Sequence, residues 1–99
     1  MRRGSTPTHV FNVSLDADLI DKVRVLYAQN GMLVLKKEMA DCTVEGQKIT
    51  VKLTQKDTLA FKDGKAEVQL RINTPTGESI PSKIYEVDVR RLLENEEFV

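Results

Sequence analysis

The chain has 99 residues, of which 40% are hydrophobic and 30% charged, and Lys plus Arg balance Asp plus Glu at 15 each. These values are typical of one soluble globular domain. The balanced charge argues against a dedicated nucleic-acid binder, which needs a basic excess to displace counterions from phosphates. A single cysteine excludes an internal disulfide, and no run approaches the ~20 apolar residues that span a bilayer. We therefore expect an intracellular domain whose stability comes from its hydrophobic core and not from disulfides.

Alternating apolar and polar residues dominate the first half of the chain. Residues 8–15 alternate in this way and predict a half-buried strand. Residues 22–29 and 32–38 are two further β-prone runs, separated by Asn30-Gly31. An Asn-Gly pair favours a type I′ turn, which needs positive φ at both positions, so a β-hairpin is predicted here. The run 32–38 is apolar on both faces at its start, which fits either a central strand or an edge that meets a partner.

Two short segments break the alternation. Residues 16–21 are rich in aspartate and predict a turn or a single helical turn. Residues 48–53 alternate again after a tight turn. The next segment, 54–61, is the one helix-like stretch, with Thr54 as a candidate N-cap and Asp57 in the acidic place of a capping box.

The last third of the chain returns to the strand pattern. Residues 66–73 and 83–89 alternate strongly and predict two strands. Pro81 restricts its surroundings to an edge or to the beginning of a strand, because proline cannot donate to a ladder. Residues 90–99 are charged and predict either a last helical turn or a loose end.

Short strands at roughly ten-residue spacing, separated by turn residues, indicate an antiparallel sandwich or barrel. We predict a single domain over residues 1–99: an all-β, small antiparallel β-sandwich, immunoglobulin-like, with six or seven strands. One short helical turn is expected near residues 55–61, and residues 1–7 and 94–99 are expected to be flexible or docking tails.

Side chains that could support chemistry are sparse. His9 and Cys42 are the single histidine and the single cysteine, so every triad or zinc site would have to use them. The aspartates at 16, 18 and 21 do not follow the spacing of a calcium loop. The five glycines are dispersed and form no phosphate-binding loop. The sequence therefore predicts no enzyme, no cofactor, no metal and no small-molecule substrate.

Several segments together resemble small proteins of about this length that are encoded in phage and prophage structural regions of gut Firmicutes. The segments are Tyr-Ala-Gln-Asn-Gly from Tyr27, Lys-Glu-Met-Ala-Asp-Cys-Thr-Val-Glu-Gly from Lys37, Val-Lys-Leu-Thr-Gln-Lys-Asp-Thr-Leu-Ala-Phe from Val51 and Val-Gln-Leu-Arg-Ile-Asn-Thr from Val68. The chain is similar, more loosely, to the N-terminal domain of phage baseplate upper proteins, which is β-sandwich-like.

This resemblance implies a structural or assembly protein of a phage tail or baseplate that acts through protein–protein contacts. Its partners would be other phage structural proteins or copies of itself, with no nucleic acid and no membrane. The protein would be cytoplasmic when made, and its incorporation into the virion is left open. The alternative is a non-catalytic module that binds a host-surface glycan or protein. The candidate interface residues all lie in the C-terminal segment: Arg90, Arg91, Leu92, Leu93 and Phe98.

Overall fold

Eight strands dominate the computed structural model, which describes residues 1–99. In chain order they are β1 (Thr8–Asn12), β2 (Lys22–Gln29), β3 (Met32–Glu38), β4 (Cys42–Glu45), β5 (Lys48–Lys52), β6 (Gly64–Asn73), β7 (Ser79–Pro81) and β8 (Tyr85–Val89). One α-helix, α1 (Gln55–Leu59), and two short 3₁₀ turns, Ala17–Leu19 and Met39–Asp41, connect them. The predicted turn within residues 16–21 is therefore a single turn of 3₁₀ helix.

The strands form two antiparallel sheets. The smaller sheet has the order β1-β5-β4, and the larger has the order β3-β2-β6, with β7 and β8 both pairing with the far side of β6. This is the order of strands B, E and D opposite C′, C, F and G in an immunoglobulin sandwich. The chain forms this sandwich without a disulfide or a tryptophan. The predicted immunoglobulin-like β-sandwich is confirmed.

The core lies between the two sheets, where alternate residues of facing strands meet. It consists of one cluster of 13 buried hydrophobic residues. Its members are Ile20, Val23, Val25, Tyr27, Ile49, Val51, Leu53, Phe61, Ala66, Val68, Leu70, Ile72 and Val89. The regular alternation along β2, β5 and β6 places the buried residues of each strand on the face that meets the other sheet.

The predicted hairpin is present, with β2 and β3 joined by a two-residue turn. Asn30 has φ of 53° and Gly31 has φ of 75°, the left-handed values that a type I′ turn requires. β3 pairs only with β2, so it is an edge strand of the larger sheet. The apolar residues at the start of β3, Met32 and Leu33, are accordingly exposed at the free edge.

Helix α1 carries the chain from the smaller sheet to the larger one. Thr54 and Asp57 form the predicted capping box, with the Asp57 backbone N–H donating to Thr54 Oγ1 over 3.1 Å. Immediately after the helix, Phe61 is buried at 1% exposure and its ring meets that of Tyr27 edge to face. The connection therefore closes one end of the core.

The far edge of the larger sheet is interrupted, so it consists of two short strands, β7 and β8. β7 and β8 pair with successive parts of β6, and residues 82–84 bulge between them. Ser82 spans this break: its backbone N–H donates to the Leu70 carbonyl, and its hydroxyl accepts from the Leu70 N–H. Pro81 lies at this edge, as its missing N–H requires. The sequence pattern predicted six or seven strands because the three residues of β7 are too few to alternate.

Candidate functional site: an aromatic groove and the C-terminal segment

The two residues with nucleophile or metal-ligand chemistry lie in the smaller sheet, on either side of β5. His9 in β1 and Cys42 in β4 are both paired with Val51, so about 10 Å separates their backbones. Burial, followed by the charges of Asp41 and Glu38, raises the pKa of the Cys42 thiol, which remains protonated at neutral pH. No group of three or more His, Cys, Asp or Glu side chains is placed to hold a metal ion.

An open groove lies between β1 of the smaller sheet and β8 of the larger one. Each of these strands pairs on one side only, β1 with β5 and β8 with β6, so two free strand edges face each other across it. The groove has a volume of about 470 Å³, and five of its eight lining residues are hydrophobic. It is lined by Thr8, His9, Val10, Phe11, Asn12, Val68, Tyr85 and Val87.

Three rings line this groove and pack against one another. The Phe11 and Tyr85 ring centres are 5.9 Å apart, and the His9 and Phe11 rings meet edge to face at 6.5 Å. Lys83 places its ammonium 5.1 Å from the centre of the Tyr85 ring, within cation–π range. The groove thus combines aromatic surface with one cation at its rim.

His9 is tied to the core by one hydrogen bond. Its Nδ1 lies 2.7 Å from the hydroxyl of Tyr27, which is itself fully buried. Burial, and then the positive amino terminus, lowers the pKa of His9 below 6.5. Burial likewise raises the pKa of Tyr27 far above its ordinary value. Both side chains are therefore neutral at pH 7, and the Tyr27 hydroxyl can donate to Nδ1 of the neutral imidazole.

The C-terminal segment lies against the N-terminal residues and α1. Leu92 packs over Gly4 so closely that a Cβ at Gly4 would lie 2.6 Å from Leu92 Cδ2. Asn95 accepts from Arg3 Nη2 over 3.0 Å. The Gln55 amide makes two hydrogen bonds with the backbone of Phe98, accepting from its N–H at 2.7 Å and donating to its carbonyl at 2.9 Å. The segment contains no helical turn, and these contacts hold it against the fold.

The residues predicted to form an interface fall into three groups. Arg90 and Arg91 bind the N-terminal segment through their backbone, with Arg90 pairing parallel to Arg2. Leu92 is half-buried against the fold, as described above. Leu93 and Phe98 are 91% and 83% exposed. Of the five predicted residues, these last two are therefore the ones whose apolar side chains lie in solvent.

The groove itself was not predicted from the sequence. His9, Phe11 and Tyr85 each occupy a position that the alternation marks as inward-facing, but His9 and Tyr85 lie 76 positions apart. Only the strand order, which places β1 opposite β8, brings them together. No local motif could have signalled this.

Comparisons with known proteins give one distant structural likeness. The V domain of amphioxus IgVJ-C2 superposes with a TM-score of 0.37 at 14% identity, covering 90% of this chain and 96% of that one. No protein-family model matches the chain, and no curated protein matches it. No helix is both long and apolar enough to cross a membrane.

Proposed function

We propose that the protein is a non-catalytic structural or assembly module that acts through protein–protein contacts, with the C-terminal segment as its main contact. One observation carries this proposal. The backbone of the segment is fixed by hydrogen bonds from Gln55 and Arg3, while Leu93 and Phe98 point their apolar side chains into solvent. A segment that served only to complete the core would bury these side chains.

The energetics favour a partner that covers them. Burying a Leu or Phe side chain fully is worth about 1.5–3 kcal/mol each. Because the backbone is already ordered, a partner gains this energy with little further loss of chain entropy. The pair could therefore supply several kcal/mol to an interface and act as an anchor for it.

The proposed setting is a phage particle, most simply the tail or baseplate, on the strength of the sequence resemblance. Other structural proteins of the particle, or further copies of this chain, would be the partners. The protein would be made in the cytoplasm and then built into the virion.

Quantitative mass spectrometry of particles, purified from an induced culture of the strain that encodes the protein, tests this setting. We expect tryptic peptides of the chain at a fixed copy number relative to the tail proteins. If the peptides occur in the lysate and are missing from purified particles, the role in the particle is wrong.

A second candidate function is supported by the aromatic groove. Its rings and the rim ammonium of Lys83 resemble the mostly apolar concave sites, with few polar groups, that bind small ligands. On this reading the protein is a non-catalytic module that binds a host-surface glycan or protein, with Tyr85 providing the stacking surface.

A glycan panel with the wild-type protein and a Tyr85→Leu variant tests the second candidate. Saturable binding that falls about two- to tenfold in the variant supports it, because a stacked ring is worth about 0.5–1.5 kcal/mol beyond its buried area. A Leu19→Ser variant, changed at an exposed apolar residue outside the groove, serves as the control. Absence of saturable binding across the panel rejects the glycan reading.

A further inference from the structure

The outer face of the larger sheet carries two like-charged pairs of opposite sign, one near each end. Arg24 of β2 lies directly opposite Arg71 of β6 in the strand register. Glu67 of β6 lies directly opposite Glu86 of β8. Residues directly opposite share a face, and their neighbours in each strand are buried or half-buried, so all four side chains project outward.

Both pairs oppose the stability of a single copy. Like charges directly opposite each other in a sheet are destabilising. Glu38 relieves the arginine pair only in part: it pairs with Arg24 over 3.0 Å and also lies 4.0 Å from Lys36. Neither Glu67 nor Glu86 takes part in an ion pair.

The remaining charges strengthen this polarity. Lys22 extends the arginine end, which therefore carries three cations against the one carboxylate of Glu38, while Lys36 lies in the middle row opposite Leu26. At the other end, Asp88 adds to the two glutamates and only Lys65 opposes them. Leu26 and Gln69 lie in the row between the two ends, and Ala28 and the 58% exposed Leu33 continue the row of the two glutamates across β2 and β3. Each end of this face is complementary to the other end.

From this charge pattern we propose that the outer face of the larger sheet binds the same face of a second copy of the chain. A two-fold axis across the strands near Gln69 would place Arg71 of each copy over Glu67 of the other. A two-fold axis parallel to the strands would instead place each charged end over the same end of the other copy, so that like charges meet. The charge pattern therefore favours the first orientation. This inference rests on the proposed function, since it specifies one of the protein–protein contacts.

The size of the face predicts a weak dimer. Four strands about 4.8 Å apart, which are five to ten residues long, cover roughly 500 Å² in projection on each copy. Stable interfaces bury about 800 Å² per partner, so this contact lies at the low end of the range. We expect a dissociation constant on the order of 10–100 µM at low salt, and weaker association at about 1 M salt, where the Debye length falls to ~3 Å.

Sedimentation equilibrium on the full chain and two charge reversals tests the proposal. In a dimer of either variant, Arg71→Glu or Glu67→Arg, both symmetry-related contacts between positions 67 and 71 join like charges. The dissociation constant of each variant alone should therefore rise at least tenfold. Mixed together, the two variants place opposite charges at both contacts and should form a heterodimer. Lys52→Glu, which makes the same charge change as Arg71→Glu on the smaller sheet, should leave the wild-type constant unchanged.

Recovery of dimer only in the mixture supports the proposal and also shows that both variants are folded. A wild-type chain that stays monomeric up to about 1 mM, where association is worth no more than about 4 kcal/mol, overturns it. Single variants that dimerise as well as the wild type also overturn it, because the contact then uses another face. Absence from particles would reject the proposed setting and leave this dimer intact, whereas a monomeric chain found in particles would reject the dimer alone.

Discussion

A single hydrogen bond between His9 and Tyr27 joins the rim of the groove to the centre of the core. The buried Tyr27 hydroxyl has His9 as its hydrogen-bond partner, at 2.7 Å. A buried hydroxyl without a partner costs about 1–3 kcal/mol. His9 therefore has a structural role, because it gives the buried Tyr27 hydroxyl a hydrogen-bond partner, whether or not it also acts in the groove.

His9 should make stability depend on pH in one defined window. Its pKa lies below 6.5 in the folded chain, because burial disfavours the imidazolium and the amino terminus adds repulsion. The unfolded chain then binds a proton more readily, so stability is highest above pH 6.5 and falls as pH drops through 6.5 towards the folded pKa. Urea midpoints at about pH 7.5 and about pH 5.5 should show the loss.

His9→Gln tests the assignment, because glutamine can still accept from Tyr27 and does not titrate. The chain has one histidine, so the variant should lose most of the difference between the two pH values. An unchanged difference would mean that another group is responsible. The pKa of Asp57 is lowered from 3.8, so this carboxylate titrates outside the window.

At the scale of elements, a mostly buried ion pair joins helix α1 to strand β3. Asp57 accepts from Lys37 Nζ over 2.8 Å and from the Thr54 backbone N–H over 2.8 Å, and the Lys37 and Asp57 side chains are 15% and 14% exposed. Burial alone would raise the pKa of Asp57, but the hydrogen bonds from Lys37 and Thr54 lower it. One carboxylate thus caps the helix and fixes the crossover against the opposite sheet.

Asp57→Asn should lower the free energy of unfolding by roughly 2 kcal/mol, because it leaves a poorly solvated lysine without its counter-charge. Asp88→Asn is the matched control, since the Asp88–Lys65 pair is 3.7 Å long and its side chains are 60% and 68% exposed. The control should cost less than about 0.5 kcal/mol. Equal urea midpoints for the two variants would show that the buried pair contributes no more than a surface one.

The hairpin turn between β2 and β3 gives a second prediction for an element. Gly31 has φ of 75° and no atoms within 4 Å of the place where a Cβ would stand, so Gly31→Ala meets strain without a clash. The expected loss is about 1 kcal/mol. Asn30→Gly, at φ of 53°, should be nearly neutral because glycine adopts this conformation freely. Thermal unfolding of both variants checks this, and an unaffected Gly31→Ala would argue against the turn type.

Local pattern predicts much of this fold, and the reason is visible in individual elements. The Asn30-Gly31 turn, the Thr54–Asp57 capping box and the alternation along β6 are each set by residues close in sequence. The groove and the two charged pairs depend on which strands become neighbours. Glu67 and Glu86 lie 19 residues apart, so their meeting could not be predicted without the strand order.

At the scale of the whole molecule, the core and the free surfaces are separated. The 13 core residues lie between the sheets, whereas five of the nine large exposed hydrophobics lie at the hairpin tip and in the C-terminal segment. Exposed apolar groups that are ordered and contiguous are typical of interaction sites. The proposed contacts rest on these exposed groups and on the charged outer face of the larger sheet.

The most direct test of this account compares particles that contain the wild-type chain with particles assembled with a Leu93→Ser, Phe98→Ser double variant. Both residues are exposed, so the free energy of unfolding of the isolated variant should stay within about 0.5 kcal/mol of the wild-type value. Leu19→Ser is the control, because Leu19 is 49% exposed and lies outside the C-terminal segment. The account predicts a normal copy number for the control and at least a tenfold loss for the double variant; equal incorporation of both would contradict it.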